Sequence, residues 1–267
     1  MAVNEAVELA HRNGVLTAAS LMVGAPAAAE AVARARAMPG LGVGLHLVLV
    51  DGWPVLPAHA VPDLVDGGGR FRSNMALAGV NFLRPRVRRQ LAAEIVAQFE
   101  AFAATGLRLD HVNAHKHFHL HPVVASLLLG IGPSFGMRSV RAPIEPGAVL
   151  ARVERGADPV ATSFSARLAG AYARRLAGRL RWAGLRVPDA VFGLRWTGHL
   201  TAGRLAGLIG CLPGGLVEIY AHPATRDNFA GHAPGAEHRA ELAALVDPRV
   251  RAAVAASGAR VTSFAGA

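Results

Sequence analysis

The chain has 267 residues, 52% of them hydrophobic and 17% charged, with a net charge of +10. That composition is globular, and the length suits one large domain with a well-buried core, a size at which α/β barrels often fold as single units. One cysteine, Cys211, excludes an intramolecular disulfide and a Cys-ligated metal, and no apolar run reaches the roughly 18 residues of a membrane span.

Residues 3 to 13 read as an acidic amphipathic helix rather than a signal peptide, with Val3, Val7 and Ala10 on one face and Asn13-Gly14 as its stop. The apolar run 15–23 is strand-like. An Ala-rich helix over 26–37 starts at Pro26, a favoured first-turn residue. LGVGLHLVLV (41–50) is nearly continuous in apolar residues, as expected of a buried parallel strand. Residues 51–83 are rich in Pro and Gly and read as a long insertion loop. A helix of about 20 residues follows Pro85. LRLDHVNAH (107–115) is the next strand, and Pro122 opens a helix to about residue 135. SVRAP (139–143) predicts a short strand, 163–183 a basic helix, and 189–194 a strand. Thr201 caps a helix to about Ile209, 215–223 is a strong strand, 235–257 is helical, and 259–264 is a last strand.

This alternation of strands and helices argues for a parallel sheet. Seven candidate strands predict an α/β fold, an irregular (β/α) barrel with parallel strands, over a single domain 1–267. A doubly wound open sheet is the runner-up, and no Gly-x-Gly-x-x-Gly between strand and helix supports its dinucleotide-binding form. A (β/α) barrel begins with a strand, whereas this sequence begins with a helix, so its first strand is expected to be absent. The arginines are spread out, with clusters at Arg84, Arg86, Arg88, Arg89 and at Arg174, Arg175, Arg179, Arg181. With few aromatics and no basic tail they read as solvated helix faces rather than a nucleic-acid footprint, and contact with a membrane surface stays open.

Barrel enzymes draw their active sites from the C-terminal ends of several strands. His46 interrupts GLHLVLV, His222 ends VEIYA before Pro223, and HVNAHKHFHLHP (111–122) carries His111, His115, His117, His119 and His121. In an extended chain His115, His117 and His119 share one face. Histidine delivered by three separate strands points to a metal or an acid–base centre. A divalent site wants a carboxylate beside two imidazoles. Glu218, Asp110 and Asp227 lie at strand ends, and none stands out as that ligand.

GVGLHLVLVDGWPVLP, LDHVNAHKHFHLHP and VEIYAHPA resemble the YdjC-like carbohydrate deacetylases, and the wording of the histidine block is most similar to their hopanoid-biosynthesis-associated branch. The resemblance runs from Val3 to about His222. It implies a barrel holding one divalent ion, Mg or Zn, with His46 and His115 as its histidine ligands and His222 as a general acid. His117, His119, Asn113, Arg141 and Glu218 would line or brace the site, Arg141 against a sugar hydroxyl or the oxyanion. His111 and His121 would be structural. The implied reaction is hydrolysis of an N-acetyl group from an amino sugar, in the hopanoid branch an N-acetylglucosaminyl hopanoid lipid.

Two departures follow. The family's opening strand, which ends in Ala-Asp-Asp-Phe-Gly and supplies the Asp ligand and a neighbouring Asp base, is not found before Val3. Asn113 stands where many relatives carry Asp. On this reading the chain is weakly active or inactive, a glycolipid-binding homologue, unless that segment precedes Met1; a different metal-dependent hydrolase on the same barrel is the further alternative. The expected partners are an amino-sugar or glycolipid substrate and a membrane surface met peripherally, with no nucleic acid and with a homodimer left open. The expected setting is the cytoplasm or the inner face of its membrane.

Overall fold

In the computed structural model, residues 1–154 and 164–267 are described, with side chains outside 155–169. Helix α1 (Ala2–Asn13) turns Ala2, Ala6 and Ala10 inward, one helical turn apart. It leads to β1 (Ala18–Leu21), α2 (Ala28–Arg36) and β2 (Gly42–Leu47). Next come α3 (Met75–Phe82), whose N-terminus is capped by Asn74 Oδ1 accepting from Leu77 N at 3.0 Å, and α4 (Pro85–Ala104), with proline in its first turn. Then follow β3 (Leu109–Ala114), α5 (Pro122–Ile131), α6 (Gly147–Val153) and α7 (Phe164–Trp182). The predicted start of α7 at 163 lies outside the described residues. The order closes with β4 (Ala190–Phe192), α8 (Ala202–Ile209), β5 (Val217–Ile219), α9 (His238–Val246) and α10 (Pro248–Ser257).

The strands are parallel, as the alternation predicts. They form two small open sheets, β1-β2-β3 and β4-β5, rather than a closed barrel. Isolated parallel bridges, Val112 with Val140 and Ser139 with Arg186, continue outward from β3, and Val191 N donates to Ile144 O at 2.8 Å. The predicted strand at 139–143 is therefore no more than these bridges; Pro143 has no N–H to extend it. Among the described residues no backbone pairing joins β5 to β1. The predicted strand at 259–264 does not form either. Its backbone is held by side chains instead: Asp110 accepts from Phe264 N at 3.2 Å and from Ala265 N at 2.8 Å, and Thr17 Oγ1 donates to Thr262 O at 2.8 Å. The helix predicted over 235–257 is two helices. Pro248 forces Asp247 out of the α region, and Asp247 then caps α10 through Arg249 N at 2.7 Å.

One apolar cluster centres on Leu45, Leu47, Leu91, Ile95, Val112 and Val140, where α4 covers the first sheet. A second centres on Phe192, Leu205, Leu208 and Leu245 beside β4. Residues 51–83, predicted as an insertion loop, bury Val61, Leu64, Val65 and Phe71 and carry α3. Among the described residues, no helix is long and apolar enough to cross a membrane.

Candidate active site

Register in the first sheet sets one half of the site. His46 on β2 lies opposite Asn113 on β3, and Ser20 on β1 lies opposite Gly44. Across this row His46 Nδ1 meets Asn113 Oδ1 at 2.6 Å, and Asn113 Nδ2 donates to Ser20 Oγ at 2.9 Å. Ser20 Oγ meets His111 Nε2 at 2.9 Å, and His111 Nδ1 meets Asp110 Oδ2 at 2.9 Å. The donors form one consistent chain. An ionised Asp110 can only accept, so His111 Nδ1–H donates to it, and His111 Nε2 accepts from the hydroxyl of Ser20. Asn113 can then only accept from His46 Nδ1–H, and the lone pair of His46 is left on Nε2. Burial holds His46 well below its usual pKa and so keeps it neutral. Asp110, by contrast, is held below the usual carboxylate range: burial opposes this, and His111 and the Ala265 N–H outweigh it. Gly44 permits the close approach of the His111 ring, because a Cβ there would lie 2.5 Å from it.

The histidine block does not continue as a strand. β3 ends at Ala114, and His115–Leu120 coils into 3₁₀ turns with Lys116 (φ 49°) and His117 (φ 55°) in the left-handed region. His115, His117 and His119 therefore do not share one strand face. Asp51, also left-handed at φ 51°, forms an ion pair with Lys116 at 2.5 Å. Three non-glycine residues at positive φ meet beside His115, the kind of local strain that gathers at functional sites. Lys116→Gly is expected to leave stability within about 1 kcal/mol, relief of strain offsetting the lost ion pair and the freer unfolded chain. Lys116→Val, β-branched at the same φ, is expected to cost about 1–2 kcal/mol. Paired thermal melts read the difference, and equal melting temperatures would remove strain from the account of this turn. His121 has a plain structural role, capping α5 by accepting from Val123 N at 3.3 Å.

The other half of the site comes from β5 and the segment after it. His222 lies three residues beyond β5 and is exposed at the mouth of the site. Its backbone is clamped from α9: Glu241 Oε2 accepts from His222 N at 2.5 Å, and His238 Nδ1 meets His222 O at 2.5 Å. Glu241 also accepts from Leu200 N at 3.2 Å, and burial pushes its pKa up. Neither clamp residue is visible in the sequence pattern, where both read as ordinary positions of a helix. Glu241→Gln turns one acceptor oxygen into a donor facing an N–H. It is expected to cost about 1–3 kcal/mol in urea unfolding, and an unchanged midpoint would show the clamp to be idle.

Arg141 and Glu218 form a buried pair. Arg141 Nε lies 3.0 Å from both Glu218 oxygens, and a terminal nitrogen lies 2.5 Å from Oε1. The guanidinium also lies 4.5 Å over the Tyr220 ring. Arg141 is thus committed to Glu218 and Tyr220. Tyr220 Oη approaches His117 Nε2 at 3.5 Å and Thr197 Oγ1 at 3.2 Å. Burial and then Arg141 lower His117 to about 4, with Glu218 opposing them. His119 is buried, neither ring nitrogen has a hydrogen-bond partner among the described residues, and burial lowers it to about 3. His222 is lowered too, by the surrounding protein and then by Arg141.

For a divalent ion, the donor set is half met. The rings of His46 and His115 lie 6.0 Å apart, both residues are held neutral, and His46 has the arrangement of a ligating histidine, its second nitrogen tied to an amide oxygen. Among the described residues, no group of three or more His, Cys, Asp or Glu side chains is placed to hold a metal. Two imidazoles fit two ligand positions; no carboxylate completes them.

A family model described as YdjC-like protein matches residues 1–256. A carbohydrate deacetylase of Geobacillus stearothermophilus is 31% identical over 266 residues, covering 98% of this chain and 91% of that protein. A carbohydrate deacetylase of Brevibacillus brevis is 41% identical over 133 residues, 50% of this chain, so the match spans about half (51%) of that relative's length. The crystal structure of an Enterococcus faecalis protein given the name cellobiose-phosphate cleavage protein superposes with a TM-score of 0.75 at 22% identity, covering 99% of this chain and 93% of that one. At that identity the likeness concerns the fold.

Proposed function

Because this chain belongs to the YdjC-like family, we propose that it hydrolyses an N-acetyl group from an amino sugar, with an N-acetylglucosaminyl hopanoid lipid as the substrate its histidine-block wording favours. The observation that carries this reading is the convergence of His46 on β2, His115 just after β3 and His222 just beyond β5. That is where barrel-type α/β enzymes place their chemistry, and the two open sheets are read as parts of such a barrel. A divalent ion, Mg or Zn, held by His46 Nε2 and His115 would polarise the acetyl carbonyl and acidify water.

The chain's own residues handle the protons. His222 has its proton affinity lowered, so it begins neutral. A neutral imidazole takes a proton as water adds to the acetyl carbon, then gives it to the nitrogen as the C–N bond breaks. Its role as an acid therefore follows a first step as a base. Glu241 and His238 keep its backbone still, and Tyr220 packs edge-on against its ring at 5.4 Å. A cytoplasmic setting is part of this reading.

The test is release of free amine and acetate from an N-acetylglucosamine oligomer and from the lipid-linked sugar, with divalent metals supplied singly. His222→Ala is expected to lower kcat by about 10² to 10⁴ with sugar binding retained. A second reading, sugar or glycolipid binding without turnover, is favoured by the incomplete ligand set among the described residues. Binding by calorimetry with no amine released under any metal would establish it instead.

A further inference from the structure

Helix α3, MALAGVNF, has one polar residue, Asn81. A helix apolar on every side belongs in an interior, yet this one lies at the surface. At about 3.6 residues per turn, Ala78 and Phe82 fall on one side and Ala76, Val80 and Leu83 on the other. The first side is packed: Ala78 and Phe82 are buried, and the Phe82 ring lies 5.5 Å from Phe118 and 5.5 Å from His121. The second side is open, with Val80 61% and Leu83 63% exposed and Leu77 (50%) and Met75 (40%) beside them. These are four of the 11 exposed large hydrophobic residues among the described residues, gathered in nine positions. Immediately after them come Arg84, Arg86, Arg88 and Arg89, all exposed. Arg86 pairs with Asp63 at 3.0 Å; among the described residues Arg84, Arg88 and Arg89 form no ion pair.

We propose that α3 and the first turn of α4 form a docking surface for an anionic lipid bilayer. Apolar side chains that enter the acyl boundary, with arginines at headgroup level, are what an interfacial helix presents. A second copy of the chain fits less well. A two-fold contact sets the same patch against itself, bringing Arg84, Arg88 and Arg89, which have no carboxylate partner among the described residues, against their counterparts. The other basic element, α7, offers no comparable cluster among its described side chains: Ala173, Leu176, Ala177 and Leu180 are buried in the protein, and its exposed Tyr172 and Trp182 stand ten residues apart. Since α3 rests on the segment that carries His115 to His121, a bilayer held there lies beside the candidate active site. The proposal rests on the surface alone and stands apart from the hydrolytic reading.

The experiment is sedimentation of the full chain with vesicles of phosphatidylcholine, with and without phosphatidylglycerol. Wild type is expected to bind the anionic vesicles at least about tenfold more tightly. Arg84→Gln with Arg88→Gln and Arg89→Gln should lose most of that preference. Val80→Ser with Leu83→Ser should weaken binding to both vesicle types by about tenfold. Arg174→Gln with Arg175→Gln should change neither. Circular dichroism confirms folding, and turnover of a water-soluble N-acetyl sugar should be equal in all variants, which separates lipid docking from catalysis. Wild type that ignores anionic vesicles overturns the proposal. So does a wild-type dimer in ultracentrifugation that Leu83→Glu converts to monomer, because the occupant is then a second copy.

Discussion

Arg141→Ala is expected to destabilise the protein by about 3–5 kcal/mol, because it strands the Glu218 carboxylate in the protein without its partner. Both side chains are nearly enclosed, at 8% and 11% exposure. The position of Arg141 is fixed by its backbone, whose N–H donates to Val112 O at 3.1 Å, so the side chain has little freedom to be elsewhere. Loss of the guanidinium also removes the cation–π contact with Tyr220, about 0.5–2 kcal/mol. The pair itself need not be strongly stabilising. Arg141→Met combined with Glu218→Leu leaves no charge unpaired and is expected to recover most of the loss. Urea midpoints of the single and double variants decide this; a double variant as unstable as the single would mean that packing rather than the stranded charge carries the effect. The double variant has a second readout. Arg141 is among the charges that hold His222 low, so its loss should move the acid limb of kcat/KM to higher pH.

His119→Leu is expected to flatten the acid limb of stability by about 1.4 kcal/mol per pH unit between pH 6 and 4. His119 binds its proton at about 3 in the folded protein, against a usual value of 6.5. Between those values the unfolded chain holds more protons, so stability rises with pH. The contribution is therefore complete above about 6.5 and is lost as pH falls toward 3. His117, lowered to about 4, acts in the same direction. His222, exposed to solvent, is left out of the sum because water screens it. The buried Glu94 and Glu241 and the half-buried Glu145 act oppositely, since burial raises them and the folded state then holds their protons more tightly. For that reason the test is a difference: urea unfolding of wild type and His119→Leu at stepped pH. Parallel curves would show that His119 protonates as readily inside the protein as outside.

The importance of the histidines is legible in the chain because imidazole is uncommon in apolar strands, and three separate runs each place one near a strand end. Their individual duties are not. His111, one turn of strand away from His115, belongs to the relay that fixes the tautomer of His46. That relay needs Ser20 and Asn113, which register alone brings alongside. Ser20, with Thr17 one of two polar residues in the run 15–23, was the available signal. Glu241 offered none, since a carboxylate on a periodic helix reads as a solvated face. Lys116 and His117 also escaped, because positive φ in non-glycine residues leaves no trace in composition.

The alternation of helices and parallel strands, the proline-led starts of α4 and α5, the Thr201 cap and the family are written in the residues themselves, because period, turn residues and motif wording are local properties. That the strands at 139–143 and 259–264 do not form, that Arg141 is spent on Glu218, and that α3 lies uncovered are consequences of long-range packing. Each of those outcomes depends on a partner from a distant part of the chain, on Asp110 reaching Phe264 or Phe82 reaching Phe118, and such partners are set by packing rather than by local preference.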